Sequence, residues 1–147
     1  MPFPVLSHST APLHESDAEA LVLALPPLEG AEEALTAWPG LAASLSAIGF
    51  TGAAGTTHRV YAPETTARPL IVVGTGAAAD AAAIRDAVGA ALRVTTGFDT
   101  LAVAAPGAPD QWRAAAEGAV LGGYRFTGYK TSTGKTRATA VTVHSPA

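Results

Sequence analysis

One stretch narrows the choice of fold more than any other: the apolar run Pro69-Leu70-Ile71-Val72-Val73, the tight turn Gly74-Thr75-Gly76, and an alanine-rich segment from Asp80 to Thr95. The run reads as a buried strand. In the segment after it, Ile84, Val88, Ala91 and Leu92 fall on one stripe while Arg85, Asp86 and Arg93 lie elsewhere, which predicts an amphipathic helix. Gly97 ends that helix, and Leu101-Ala102-Val103-Ala104-Ala105 gives a second buried strand before Pro106-Gly107. Strand, helix and strand make a βαβ unit, and two parallel strands of one sheet joined in this way take a right-handed crossover. An α/β layer fold with a mixed sheet is the expectation.

The flanking segments fill out that sheet. Ala20-Leu21-Val22-Leu23-Ala24-Leu25 is stopped by Pro26-Pro27 and reads as a strand, although Ser16-Asp17-Ala18-Glu19 has the pattern of a helix-opening capping box. Leu41, Leu45 and Ile48 recur at helical spacing after Pro39-Gly40, with Gly49 as a stop, so a short helix is expected over 41–48. Residues 51–55 read as a loop, and His58-Arg59-Val60-Tyr61 as a half-buried strand ended by Pro63. Asp110 is placed to cap a helix from Gln111 to about Leu121, with Trp112, Ala116 and Val120 on one face. Gly122-Gly123 weakens its end. Residues 127–136 read as exposed loop and residues 138–144 as a last strand. Neither a repeat nor a second domain is evident, so residues 1–147 are expected to form one domain, a length that builds its own core.

Composition removes whole classes of chemistry. Cysteine is absent, which excludes disulfide frameworks, thiol nucleophiles and cysteine-bearing zinc sites, and the cytoplasm is the expected compartment. No apolar run approaches the ~20 residues of a membrane-spanning helix, and the amino terminus lacks the basic region of a signal peptide. Formal net charge is -3. Residues 1–58 hold acids but no Lys or Arg, whereas residues 59–147 carry an excess of bases. That overall sign argues against a protein that works by neutralising nucleic-acid phosphates.

Four local patterns are candidate sites. Gly74-Thr75-Gly76 with Ala77-Ala78-Ala79 satisfies G-x-G-x-x-A between a strand and a helix, the context of a dinucleotide-binding turn. The acid that should end the next strand is missing, since Asp99 precedes that strand and Asp110 lies beyond it. A plain tight turn competes with a ligand site, and an anion at the helix-opening amides fits either reading. His8, His14, His58 and His144 are scattered without metal-ligand spacing, so no metal site is expected. Gly134-Lys135-Thr136 looks like the end of a P-loop, but Tyr129 stands where its first glycine belongs. Tyr124, Arg125, Phe126, Tyr129 and Lys130, followed by Lys135 and Arg137, interleave aromatic and basic residues as single-strand binders do; an aromatic helix exit with solvated charges accounts for them with no ligand at all and is the preferred reading.

The run from Ala116 to Lys130, Ala-Glu-Gly-Ala-Val-Leu-Gly-Gly-Tyr-Arg-Phe-Thr-Gly-Tyr-Lys, resembles A-E-G-A-x-L-G-x-Y-R-F-D-x-Y-K of the amino-terminal domain of the leucine (cytosol) aminopeptidase family. Thr127 departs from the usual Asp. Residues 70–76 resemble that family's V-G-L-G turn, and residues 84–91 its R-x-A-x-G-x-A-A helix. Phe50-Thr51-Gly52-Ala53-Ala54-Gly55 stands where the family has F-K-G-K-x-G-E, with both lysines and the acid lost.

The resemblance implies a macro-domain-like, three-layer α/β fold, a mixed central sheet flanked by helices. It also implies a non-catalytic role ahead of a separate carboxy-terminal catalytic domain. In the family the whole enzyme removes amino-terminal residues from peptides with two divalent metals, usually zinc, manganese or magnesium, within a homo-oligomer, a hexamer. The amino-terminal domain is then expected to support assembly and substrate access. Neither N-T-D-A-E-G-R nor the family's lysine-and-aspartate segment occurs in the 147 residues, so no catalytic or metal-binding residue carries over. Two rivals stand beside this expectation. One is a macro-like module holding a nucleotide such as ADP-ribose at Gly74, Thr75 and Gly76; the other is a DNA-binding domain using Arg125, Lys130, Lys135 and Arg137.

Overall fold

A strand whose every side chain is apolar must be covered on both faces, and Ala20–Leu25 (β2) meets that demand with all six residues buried. The computed structural model describes residues 5–11, 13–28, 35, 38–63, 65–76, 80–95, 98, 100–104, 111–123 and 140–144. Around β2, strands Val5–Ser9 (β1), Thr57–Tyr61 (β3), Pro69–Gly74 (β4), Thr100–Ala104 (β5) and Ala140–His144 (β6) complete one sheet in the order β1-β6-β5-β2-β4-β3. Among the described residues only the β3–β4 pairing is antiparallel, so the sheet is mixed.

The helix Ala81–Val94 (α2) connects β4 to β5 as the sequence pattern predicts. These two strands are not neighbours, because β2 lies between them and pairs with both. Asp80 caps α2, its carboxylate accepting from the Ala83 amide at 2.9 Å. At the other end Thr95, buried, donates its hydroxyl to the Ala91 carbonyl at 2.6 Å. The expected stripe is the buried one: Ile84, Val88, Ala91 and Leu92 are all at most 2% exposed.

The helix Gln111–Gly123 (α3) packs on the same side, and these two helices cover Val22, Ile71, Val73, Leu101, Val103, Val141 and Val143. Its described buried face is built of small residues. Ala114, Ala115, Gly118 and Ala119 are buried and Ala116 lies at the margin, while the side chains of Trp112 and Val120 fall outside the description. Gly118 decides the orientation. A Cβ there would stand 2.4 Å from the Arg85 carbonyl oxygen and 3.0 Å from the Val88 Cβ, so α3 lies against α2 at a separation only glycine permits. The helix also runs through Gly122 and Gly123, past the expected end.

The opposite face of the sheet presents Leu21, Leu23, Leu25, Leu70, Val72 and Ala102 to a second core. A 3₁₀ turn (Leu13–Glu15), Trp38, Phe50 and the helix Leu41–Ala47 (α1) close it. Within α1, Leu41 and Leu45 are buried, as the spacing predicts. The capping-box pattern at Ser16 opens no helix. The Ser16 hydroxyl accepts from the Ala18 amide two residues on, and the Glu19 amide donates to Thr100 Oγ1, which leads the chain directly into β2.

Candidate anion-binding turn

The turn Gly74-Thr75-Gly76 sits at the carboxyl end of β4, the edge of an open α/β sheet where ligands commonly bind. Whether amides there are free to hold an anion depends on what they already bond. All three are engaged. Gly74 N–H donates to the Thr56 oxygen at 2.9 Å, Thr75 N–H to the Leu25 oxygen at 2.9 Å, and Gly76 N–H to the Gly52 oxygen at 2.8 Å. The Thr75 side chain is buried, and its hydroxyl donates to the Gly76 carbonyl at 3.0 Å.

Two of the three acceptors come from residues 51–56, whose course is set by glycine. Gly55 N–H donates to the Gly74 oxygen at 3.0 Å, so Gly55 and Thr56 together oppose Gly74, the two-against-one arrangement of a β-bulge. Gly55 takes φ 80° and Gly52 φ 78°, left-handed values that side chains resist. Contact is tight on both sides of this loop: a Cβ on Gly52 would lie 2.5 Å from Pro27, and one on Gly74 would lie 2.2 Å from the Ala53 oxygen. Sequence reading found the loop and the turn separately. It missed that one fills the groove beside the other, a relation that only the repeated glycines hint at.

Electrostatics add to the sterics. In segments 51–56, 74–76 and 80–84 the one charged side chain is Asp80, and it already caps α2. An anion at this turn would have to displace three protein hydrogen bonds beside a carboxylate. Residues 77–79 lie outside the described residues, as do Arg125, Lys130, Lys135 and Arg137 of the basic patch.

His14, His58 and His144 make separate contacts. His14 meets the Trp38 ring edge-on at 6.0 Å, and His58 meets Phe50 at 5.7 Å. His144 is buried with Nδ1 2.8 Å from the Ala11 oxygen. Among the described residues no group of three or more His, Asp or Glu could hold a metal ion, and no helix is long and apolar enough to cross a membrane.

Residues 26–133 match the model of the cytosol aminopeptidase family, N-terminal domain. A probable cytosol aminopeptidase from Clavibacter michiganensis subsp. michiganensis is 39% identical over 153 residues, covering 97% of this chain and 30% of the relative. Among solved structures, a tomato leucine aminopeptidase mutant superposes with a TM-score of 0.69 at 16% identity, over 99% of this chain and 33% of that one. The macrodomain of Mycobacterium tuberculosis DarG gives 0.62 at 15% identity, over 98% of this chain and 99% of that one. At such identities these two likenesses establish the fold, an α/β arrangement shared with macrodomains. The chain spans about a third or less of the aminopeptidases it matches. A family match over most of the chain, with a relative aligned along nearly all of it, shows that this protein belongs to the cytosol aminopeptidase family through that family's N-terminal domain.

Proposed function

We propose that residues 1–147 serve as the non-catalytic amino-terminal domain of a leucyl aminopeptidase, supporting oligomer assembly and substrate access in the cytoplasm. Peptide cleavage and its zinc, manganese or magnesium ions then belong to a carboxy-terminal catalytic domain. The observation that carries this reading is the match to the N-terminal family model over residues 26–133, with the chain spanning 30% of its Clavibacter relative.

Two measurements test the reading. The purified chain with a leucine amide-type substrate and manganese is expected to give no turnover; robust metal-dependent turnover would overturn its non-catalytic assignment. In the Clavibacter enzyme, removal of the matching amino-terminal part is expected to impair assembly, and grafting residues 1–147 in its place to restore it. A graft that folds but leaves assembly as poor as the deletion would sink the assembly role.

A further inference from the structure

The last residue of β6 is a histidine with one ring nitrogen engaged and the other sealed in. Val141 and Val143 point into the core beneath α2 and α3, so by strand alternation His144 faces the opposite side of the sheet, level with Ser9 of β1 and Ala104 of β5. The chain leaving β1 folds back across the ring. Ala11 N–H donates to Ser9 Oγ at 3.1 Å, and the Ala11 oxygen lies 2.8 Å from His144 Nδ1. A carbonyl only accepts, so Nδ1 carries the proton of the neutral ring and Nε2 keeps its lone pair. His144 is 7% exposed, and Nε2 is buried with no hydrogen-bond partner among the described residues.

A second proton, at Nε2, would add a donor and a positive charge that no described residue is placed to receive. The titratable and charged groups on the surrounding elements are turned elsewhere. His8 of β1 is level with Val143 and so faces the α3 side, where Arg113 and Glu117 are exposed. The 3₁₀ turn lies against β5; in it His14 meets Trp38 edge-on and Glu15 is exposed, as are Asp17 and Glu19 beyond it. Strand β5 carries no charged residue. His144 forms no ion pair with any described residue.

Relief lies close by, because β1 is an edge strand. Its one neighbour in the sheet is β6, and Leu6, Ser7 and His8 are already exposed, so fraying there uncovers little that is buried. We infer that His144 is an acid-sensitive latch on the β1 edge: neutral, it stays seated under the turn that follows β1; taking a second proton, it swings out to water and lets β1 detach. The extra proton is bound by the open form, so acid favours opening and neutral pH favours closure. The latch makes β1 the part of the sheet that answers to pH, while β2, β4 and β5 stay assembled.

Amide hydrogen exchange followed by NMR reads the strands separately. From about pH 7.5 to about pH 5.5, roughly one unit either side of the value near 6.5 of a solvated histidine, protection of the β1 amides bonded to β6 should fall about tenfold, after correction for intrinsic exchange. The β2 amides should keep theirs. His144→Asn, whose side-chain amide can donate to the Ala11 oxygen but takes no proton, should hold β1 protection steady across that range. His144→Leu, which packs without the bond, should do the same. Both variants leave His8, His14 and every carboxylate in place, and His14→Gln should behave as the parent does. A parent whose β1 protection does not fall overturns the proposal, as does a fall that persists in either His144 variant, that disappears in His14→Gln, or that β2 shares equally. None of these results bears on the peptidase assay, so the two readings fail separately.

Discussion

The amide of Gly76 reaches the carbonyl oxygen of Gly52 across 2.8 Å, which fastens the loop after α1 onto the turn after β4. The close fit makes unequal demands on the glycines. Gly55 has φ 80° but open space around a would-be Cβ, so Gly55→Ala should cost only the left-handed strain, about 1–2 kcal/mol. Gly74→Ala drives a methyl into the Ala53 oxygen, and Gly52→Ala meets the Pro27 backbone with the same φ strain added. Each should cost about 3 kcal/mol or more, since backbone cannot swing aside. Urea unfolding of the three variants checks the order; equal losses would refute it.

Nucleotide binding at this turn should be absent for the same reason. Titration calorimetry with ADP-ribose or NAD is expected to show nothing tighter than roughly millimolar, about -4 kcal/mol. Micromolar binding that is lost on changing Thr75 would mean that the loop 51–56 moves off the turn.

The contact between α2 and α3 depends on Gly118 rather than on the ion pair beside it. Gly118→Ala gains roughly 1 kcal/mol of helix propensity, but its methyl would stand 2.4 Å from the Arg85 oxygen. A net loss of about 1–3 kcal/mol is expected. Arg85 and Glu117 meet at 3.1 Å with side chains 39% and 61% exposed, so solvent screens the pair. Glu117→Ala should change stability by less than about 0.5 kcal/mol. Thermal unfolding that ranks the two the other way would disprove this assignment.

A buried histidine here contributes little. His144 Nδ1 lies 2.8 Å from the Ala11 oxygen, while Nε2 is buried without a hydrogen-bond partner among the described residues. His144→Leu removes both the bond and the orphaned nitrogen, and the exposed Ala11 can turn its carbonyl to water. Stability within about 1 kcal/mol of the parent is expected. A loss above about 3 kcal/mol would show that the bond to Ala11 holds the β1–β6 edge together.

Most of the architecture can be read from periodicity. The six apolar residues of β2 and the Ile84-Val88-Ala91-Leu92 stripe of α2 are placed as their patterns predict, because bulky side chains mark which surface must be covered. Between Arg113 and Ala119 of α3 that marker is missing. Ala114, Ala115, Ala116 and Ala119 differ too little in size for the sequence to single out a face, and the close approach at Gly118 makes the choice instead. Strand order is equally silent in the pattern, since nothing local to β4 or β5 records that β2 will lie between them. At the candidate turn the G-x-G spacing marks the left-handed backbone of Gly76 just after β4. It carried no information on whether the amides were free, because their acceptors, Leu25, Gly52 and Thr56, come from other segments.

The placement of β6 also dictates an order of events. This strand lies between β1 and β5, pairing Val141 with Leu6 on one side and with Leu101 on the other. During synthesis from the amino end, β1 emerges first yet has no neighbour in the sheet until the residues around 140 have left the ribosome. The Ser7–Thr142 contact closes a separation of 135 residues. Loops of that length are slow to close, so β2, β4 and β5 can assemble with α2 while β1 waits. Its residues would be the last to gain protection from hydrogen exchange during refolding.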